Sequence, residues 1–176
     1  MALCLVGSEM CIRDSSWTET TYNENVSDFQ KIKLRQRVAI DMSNRTLETK
    51  MINQPVSMPV AIAPTGLTGM QRADGEILAA QAAEEFGIPY TLSTMSVCSI
   101  EAVAEKTKNP FWFQLYVMKD KKFMERLIDR AKEAKCSALV LTLDLQLLGQ
   151  RHKDLRNGLS TPPKLIPKHI YQVLTR

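Results

Sequence analysis

The chain has 176 residues, 44% of them hydrophobic and 24% charged, with a formal net charge of +4. That balance supports one domain with a real core and excludes a membrane bundle, a disordered chain and a collagen-like repeat. The basic residues are dispersed along the chain rather than gathered into a stripe, which argues against a nucleic-acid partner.

The first segment, residues 1–16, reads MALCLVGSEMCIRDSS. Its apolar patch, Ala2 to Val6, has no basic residue before it and is shorter than the roughly 7–15 residues of a signal-peptide core. The segment has neither a helical nor an alternating period. It is expected to be a non-native tail, leaving 17–176 as the domain. Lys31, Lys33, Arg35 and Arg37 then alternate along the chain, which suits the exposed face of an extended segment.

From residue 58 the pattern becomes regular. Met58–Ala63 is a short apolar run with β-branched residues and predicts a strand, followed by Pro64-Thr65-Gly66. Gly75–Phe86 carries helix formers with Ile77, Leu78, Ala82 and Phe86 near helical spacing, and Gly87 ends it. Ile88–Leu92 predicts a second strand, and Ser99–Lys106 a helix with Ser99 as its N-cap. Phe111–Tyr116 is a third strand, Asp120–Ala134 an amphipathic helix, and Ala138–Leu143 a fourth strand. The four cysteines, at 4, 11, 98 and 136, show no CxxC spacing, so no metal site is expected. Cys98 and Cys136 are expected to be buried thiols in a reducing compartment.

Apolar strands separated by amphipathic helices require a parallel sheet covered by helices. Right-handed crossovers allow an open doubly wound sheet or a (β/α)8 barrel. The first strand is not followed by GxGxxG, which counts against a dinucleotide-binding open sheet. Four strands are half of a barrel that usually takes about 250 residues. The expected fold is therefore α/β, the N-terminal half of a TIM barrel with about four parallel strands, cut at both ends. Polar residues recur at the C-terminal end of each strand: Thr65 and Gly66, Ser93 and Thr94, Gln114 and Tyr116, Thr142 and Asp144. In a barrel these ends converge on the rim where active sites sit.

The series MPVAIAPTGLTGM, TLSTMSVCSIEAVA, FWFQLYV and LTLDLQLLGQRHKDLRNGL closely resembles the FMN-dependent α-hydroxy-acid dehydrogenases and oxidases, above all their bacterial L-lactate dehydrogenase branch. The resemblance runs from Trp17 to Arg176. It implies FMN as cofactor and oxidation of (S)-2-hydroxy acids, L-lactate to pyruvate first among them, by the complete protein. It also implies that the backbone of Ala63, Pro64, Thr65 and Gly66 faces the flavin, and that Ser93, Gln114 and Thr142 hydrogen-bond its polar edge. Tyr116 and Arg151 would bind the substrate, Arg151 holding its carboxylate through a planar fork and the Tyr116 hydroxyl bonding the carboxylate or the 2-hydroxyl. Asp144 would orient the His that takes the substrate proton. That His, in an SNHGxRQ-like motif, is matched by neither His152 nor His169, so this chain alone is expected to be inactive.

The resemblance further implies a quinone or cytochrome as electron acceptor, a homo-oligomeric parent and a cytoplasmic location. In Leu147–Arg176, Lys164 and Lys168 interleave with Leu165, Ile166 and Ile170, which suits either peripheral contact with the inner face of the plasma membrane or a substrate lid. Two other functions stay open from the residues alone. One is another FMN barrel enzyme such as a type 2 isopentenyl diphosphate isomerase, against which Tyr116 with Arg151 speaks. The other is a non-catalytic α/β binding module.

Overall fold

The computed structural model describes residues 16–143 and 149–152. They belong to two compact units, one joining residues 16–38 to 149–152 and one formed by residues 39–143. In the first unit, Trp17 N–H donates to the Gln150 carbonyl at 3.1 Å. The Trp17 and His152 rings meet edge-on with centroids 6.4 Å apart. Helix α1 (Thr20–Lys31) buries none of its residues. Its Lys31 pairs with Glu24 and Asp28. Lys31 is thus the last residue of a helix, whereas 32–38 are exposed and carry neither helix nor strand.

The second unit begins with an antiparallel hairpin, β1 (Thr49–Met51) and β2 (Gln54–Val56). Its two turn residues, Ile52 and Asn53, both take positive φ, 46° and 61°, as the tight hairpin turn that matches strand twist requires. The remaining elements are α2 (Thr68–Gln71), α3 (Gly75–Phe86), β3 (Thr91–Leu92), α4 (Ile100–Lys106), β4 (Trp112–Tyr116), α5 (Lys121–Glu133) and β5 (Ala138–Thr142). Strands β3, β4 and β5 form a parallel sheet in that order.

Three helix ends follow from the chemistry of a single residue. Gly87 takes φ 67° at the end of α3, and its N–H returns to the Glu84 carbonyl. Ser99 Oγ caps α4 by accepting from Ala102 N–H at 3.1 Å. Asp120 caps α5 by accepting from Phe123 N–H at 3.0 Å, so it precedes the helix rather than opening it. In β4 successive side chains point to opposite faces. Phe113 and Leu115 pack into the core with Ala80 and Ala83 of α3, Val103 of α4, and Leu127 and Ala131 of α5. The small alanines let α3 lie close to the sheet. At the far edge, Leu139 and Leu141 of β5 remain about half exposed.

Two expected strands are shorter than their apolar runs. Of Met58–Ala63 only Ile62 joins the sheet, through one parallel bridge to Tyr90. Pro59 and Pro64 supply no N–H to a ladder, and Val60 N–H turns back to the Met58 carbonyl instead. Pro89 shortens Ile88–Leu92 for the same reason. Cys98 and Cys136 are free thiols of intermediate exposure rather than fully buried. Burial still pushes the Cys136 thiol up to about 11.

Helices α4 and α5 are joined by Arg130, which donates from Nε and Nη2 to the two Glu101 oxygens at 2.6 and 2.7 Å. This fork holds Glu101 down at about 2. The pair is nearly half exposed, so its worth is about 0.5–1 kcal/mol. Its contribution is present above the ordinary glutamate value and is lost as pH falls through the folded one. Arg130→Ala in the complete gene product should therefore lower unfolding stability by about 0.5–1 kcal/mol at pH 7. Urea titrations at stepped pH should show the difference vanish as pH falls from about 4.5 to about 2.

Candidate functional site

In a parallel sheet every strand ends on the same side, and here those ends are polar. Ser93 follows β3, Gln114 lies in β4, and Thr142 closes β5. Gln114 is 1% exposed and Ser93 2%. Within β4, Trp112, Gln114 and Tyr116 alternate with Phe113 and Leu115, so they face away from the helix layer. Ladder register sets Gln114 beside Val140 and Tyr116 beside Thr142. Trp112 marks the other end of the strand, where its indole N–H donates to Gln54 Oε1 of the hairpin at 3.1 Å. The hairpin therefore fastens the apolar end and leaves the polar end clear.

The Gln114 amide is oriented by its neighbours. Thr94 N–H donates to Gln114 Oε1 at 3.2 Å, with Ser93 Oγ at 3.4 Å from the same oxygen. A backbone N–H can only donate, so Oε1 must face Thr94 and Nε2 must face away. Nε2 donates to Thr142 Oγ1 at 2.8 Å. Ser93 Oγ also accepts from Met95 N–H at 3.1 Å. The Thr94 hydroxyl donates to the Gln114 carbonyl and accepts from Tyr116 N–H. A neutral relay thus crosses three strands. Thr142 accepts from Gln114, which frees its own hydroxyl proton to donate to a ligand.

The loop at Ala63, Pro64, Thr65 and Gly66 is exposed beside this rim. It folds on itself, with Thr65 Oγ1 donating to the Ala63 carbonyl at 3.4 Å and Thr68 Oγ1 to the Thr65 carbonyl at 3.2 Å. Leu67 N–H ties it to the Met95 carbonyl at 2.9 Å. A side chain at Gly66 would make only ordinary contact with Met95, at 3.4 Å. The chain's own packing therefore does not by itself require glycine at 66.

Sequence reasoning missed Glu76, which is fully buried. Its Oε1 accepts from the N–H groups of Gly69 and Val97, each at 3.0 Å. Its Oε2 is buried with no N–H or O–H donor. Burial works against the charge most strongly, yet the Val97 and Gly69 bonds, with the helix-start Glu76 N–H and the Cys98 thiol, together leave the carboxyl below its ordinary value. Burial pushes the Cys98 thiol up, and so do its hydrogen bond to Glu76 and then the Glu76 charge. Tyr90 is raised by burial and then by the Glu76 charge. The signal for Glu76 was present in the flanking glycines, Gly69 and Gly75, which mark close backbone approach.

The structure thus brings together Ser93, Gln114 and Thr142, with Tyr116 half-buried beside Thr94. Arg151 belongs to the other unit, where it is half-buried and its N–H donates to the Gly149 carbonyl at 2.9 Å. Asp144 lies outside the described residues. Among the described residues no group of three His, Cys, Asp or Glu side chains is arranged to hold a metal ion.

Residues 10–176 match the family model for FMN-dependent dehydrogenases. The chain is 49% identical over 162 residues to an L-lactate dehydrogenase of Acinetobacter baumannii, covering 92% of this chain and 42% of that protein. It superposes on the monotopic membrane protein (S)-mandelate dehydrogenase with a TM-score of 0.86 at 30% identity, covering 95% of this chain and 44% of the other. A lactate oxidase structure from Pediococcus acidilactici gives a TM-score of 0.83 at 30% identity, covering 91% and 45%. The chain therefore spans less than half the length of these relatives, and its α/β fold is the N-terminal half of a TIM barrel.

Gln114→Leu would strand the buried Thr94 N–H and break the relay at its middle. It should cost the complete gene product about 1–3 kcal/mol of unfolding stability, measured by urea titration. A variant unfolding at the wild-type midpoint would show that the amide does not hold these strand ends together.

Proposed function

Because the chain belongs to the FMN-dependent dehydrogenase family, we propose that the complete gene product uses FMN to oxidise (S)-2-hydroxy acids, with L-lactate, converted to pyruvate, as the main substrate. The Ser93–Gln114–Thr142 relay carries this proposal. It offers a flat, polar-edged ring a neutral donor surface with a free Thr142 proton and a second Gln114 N–H. The exposed 63–66 loop fits the same ring. Among the described residues no acceptor takes the N–H groups of Ala63, Thr65 or Gly66, and Gly66 presents no side chain. FMN, when bound, accepts a hydride or its electron equivalent from the substrate carbon.

The chain's own residues would then divide the work. Ser93, Gln114 and Thr142 hold the flavin's polar edge, and the backbone of Ala63, Pro64, Thr65 and Gly66 faces the ring. Tyr116 and Arg151 bind the substrate carboxylate, where the Arg151 fork matches two oxygens at once. Asp144 orients a His general base and stabilises its imidazolium as the hydroxyl proton is withdrawn. This assignment gives the base role to neither His152 nor His169. The electrons pass on to a quinone or cytochrome, and the complete protein is a homo-oligomer.

Peripheral contact with the inner face of the membrane is supported by the description of one structural neighbour as a monotopic membrane protein. Among the described residues no helix is long and apolar enough to cross a membrane. The interleaved Lys164, Leu165, Ile166, Lys168 and Ile170 supply the apolar and cationic chemistry such contact needs. They lie outside the described residues.

Lactate-dependent dye reduction by the complete gene product tests the proposal, and a yellow protein without lactate turnover would refute the substrate assignment. Arg151→Lys should raise KM for lactate about tenfold or more while flavin content holds, since a point charge replaces a bidentate fork. Asp144→Asn should instead lower kcat by about 10²–10⁴-fold with little change in KM, because its effect falls on charge that develops during reaction. The 176-residue chain alone should bind FMN weakly and reduce no dye.

A further inference from the structure

We propose that Glu76 is a positioning residue that clamps two rim segments, the 63–67 loop with the start of α2 and the 93–97 loop, at the spacing the cofactor requires. This rests on the FMN assignment above. One carboxylate oxygen accepts from both segments, Gly69 N–H on one side and Val97 N–H on the other, each at 3.0 Å. The first segment continues from the exposed 63–66 backbone, and the second follows Ser93 directly. A parallel tie runs from Leu67 N–H to the Met95 carbonyl at 2.9 Å. No strand ladder joins these segments, so the clamp and this tie set their separation.

The joint tolerates no added bulk. A Cβ at Gly69 would meet Val97 Cβ at 2.7 Å and Glu76 Oε2 at 2.9 Å. A Cβ at Gly75, next to Glu76, would meet the Thr68 carbonyl at 2.8 Å. Glu76 sits in the first turn of α3, where the helix dipole favours a negative charge. The helix in turn is seated on the core through Ala80 and Ala83. The carboxylate thus carries the position of a rigid helix to both segments, the second of which is also held to β4 through Thr94. A fully buried charge fixed by two backbone donors suits holding rather than chemistry.

The test uses the complete gene product and three variants, Glu76→Gln, Glu76→Ala and Gly69→Ala. Two readouts are taken: hydrogen exchange at the Gly69 and Val97 amides, and FMN affinity by fluorescence titration of the apoprotein. Glu76→Gln keeps a neutral acceptor at the same place, so it should weaken FMN binding only a few-fold; Glu76→Ala should weaken it about tenfold or more, following the greater strength of bonds to a charged acceptor. Protection of the two amides should fall in the same order, with protection of the β4 amides unchanged. Gly69→Ala should reproduce the effects of Glu76→Ala with the carboxylate still present. Wild-type FMN binding retained equally by all three variants overturns the role of Glu76 and leaves the cofactor assignment standing. Loss of protection spread evenly through β4 also overturns it, because that is the mark of a general core residue. A wild-type protein that binds no FMN overturns the cofactor assignment and the clamp together.

Discussion

A buried primary amide must satisfy an acceptor end and a donor end at once, and the position of Gln114 imposes that demand on three strands. Leaving either end unpaired would cost about 1–3 kcal/mol, so the residues around it are constrained. Thr94 must present its N–H, Ser93 its hydroxyl, and Thr142 an acceptor oxygen. These groups meet only if β3, β4 and β5 end level with one another. The polar rim is therefore as much a register device as a surface for a ligand. A one-residue slip of β5 would turn Thr142 to the helix side and strand the Gln114 donor.

The elements that could be read from sequence are those whose signal is local. Ser99 and Gly87 act through their own side chain or its absence, and both fall where the pattern puts them. The runs Phe111–Tyr116 and Ala138–Leu143 are apolar because a parallel strand between helices is buried on both sides, and both form within a residue of their expected limits. Met58–Ala63 fails as a full strand because apolar composition reports burial, not hydrogen bonding, and Pro59 and Pro64 remove the donors. The hairpin Thr49–Val56 escapes notice because its strands have three residues each and its turn places a β-branched Ile52 at positive φ. Helix α1 buries nothing, so no apolar stripe announces it.

The rim residues were visible because polar side chains at strand ends interrupt apolar runs. Glu76 was not, because a glutamate in the first turn of a helix is ordinary and its burial is created by loops closing over it from positions 69 and 97. Apart from the nearby Gly69 and Gly75, only its tertiary contacts set it apart from Glu85 on the same helix. Glu84 itself accepts from Lys108 and Asn109 N–H at 2.8 and 2.7 Å. One helix thus carries a carboxylate clamp near each end, but Glu84 is tied to a loop that precedes β4, away from the polar rim.

This division places charge where it does least harm. An ionised group within the relay would compete with a bound ligand's own electrostatics in a site where water is excluded and Coulomb interactions are strong. The relay from Ser93 to Thr142 is built from neutral hydroxyl and amide groups, which orient without fixing a charge. The carboxylate of Glu76 stands behind it, compensated by two backbone donors and the start of α3. A buried carboxylate keeps its charge only while those donors stay aligned. Any motion that separates the two loops weakens the bonds to Oε1 and at the same time relieves the burial that opposes the charge. The burial of Glu76 and the donors that offset it come from the same two segments, so the packing that sets the rim's spacing also sets the environment of this carboxylate.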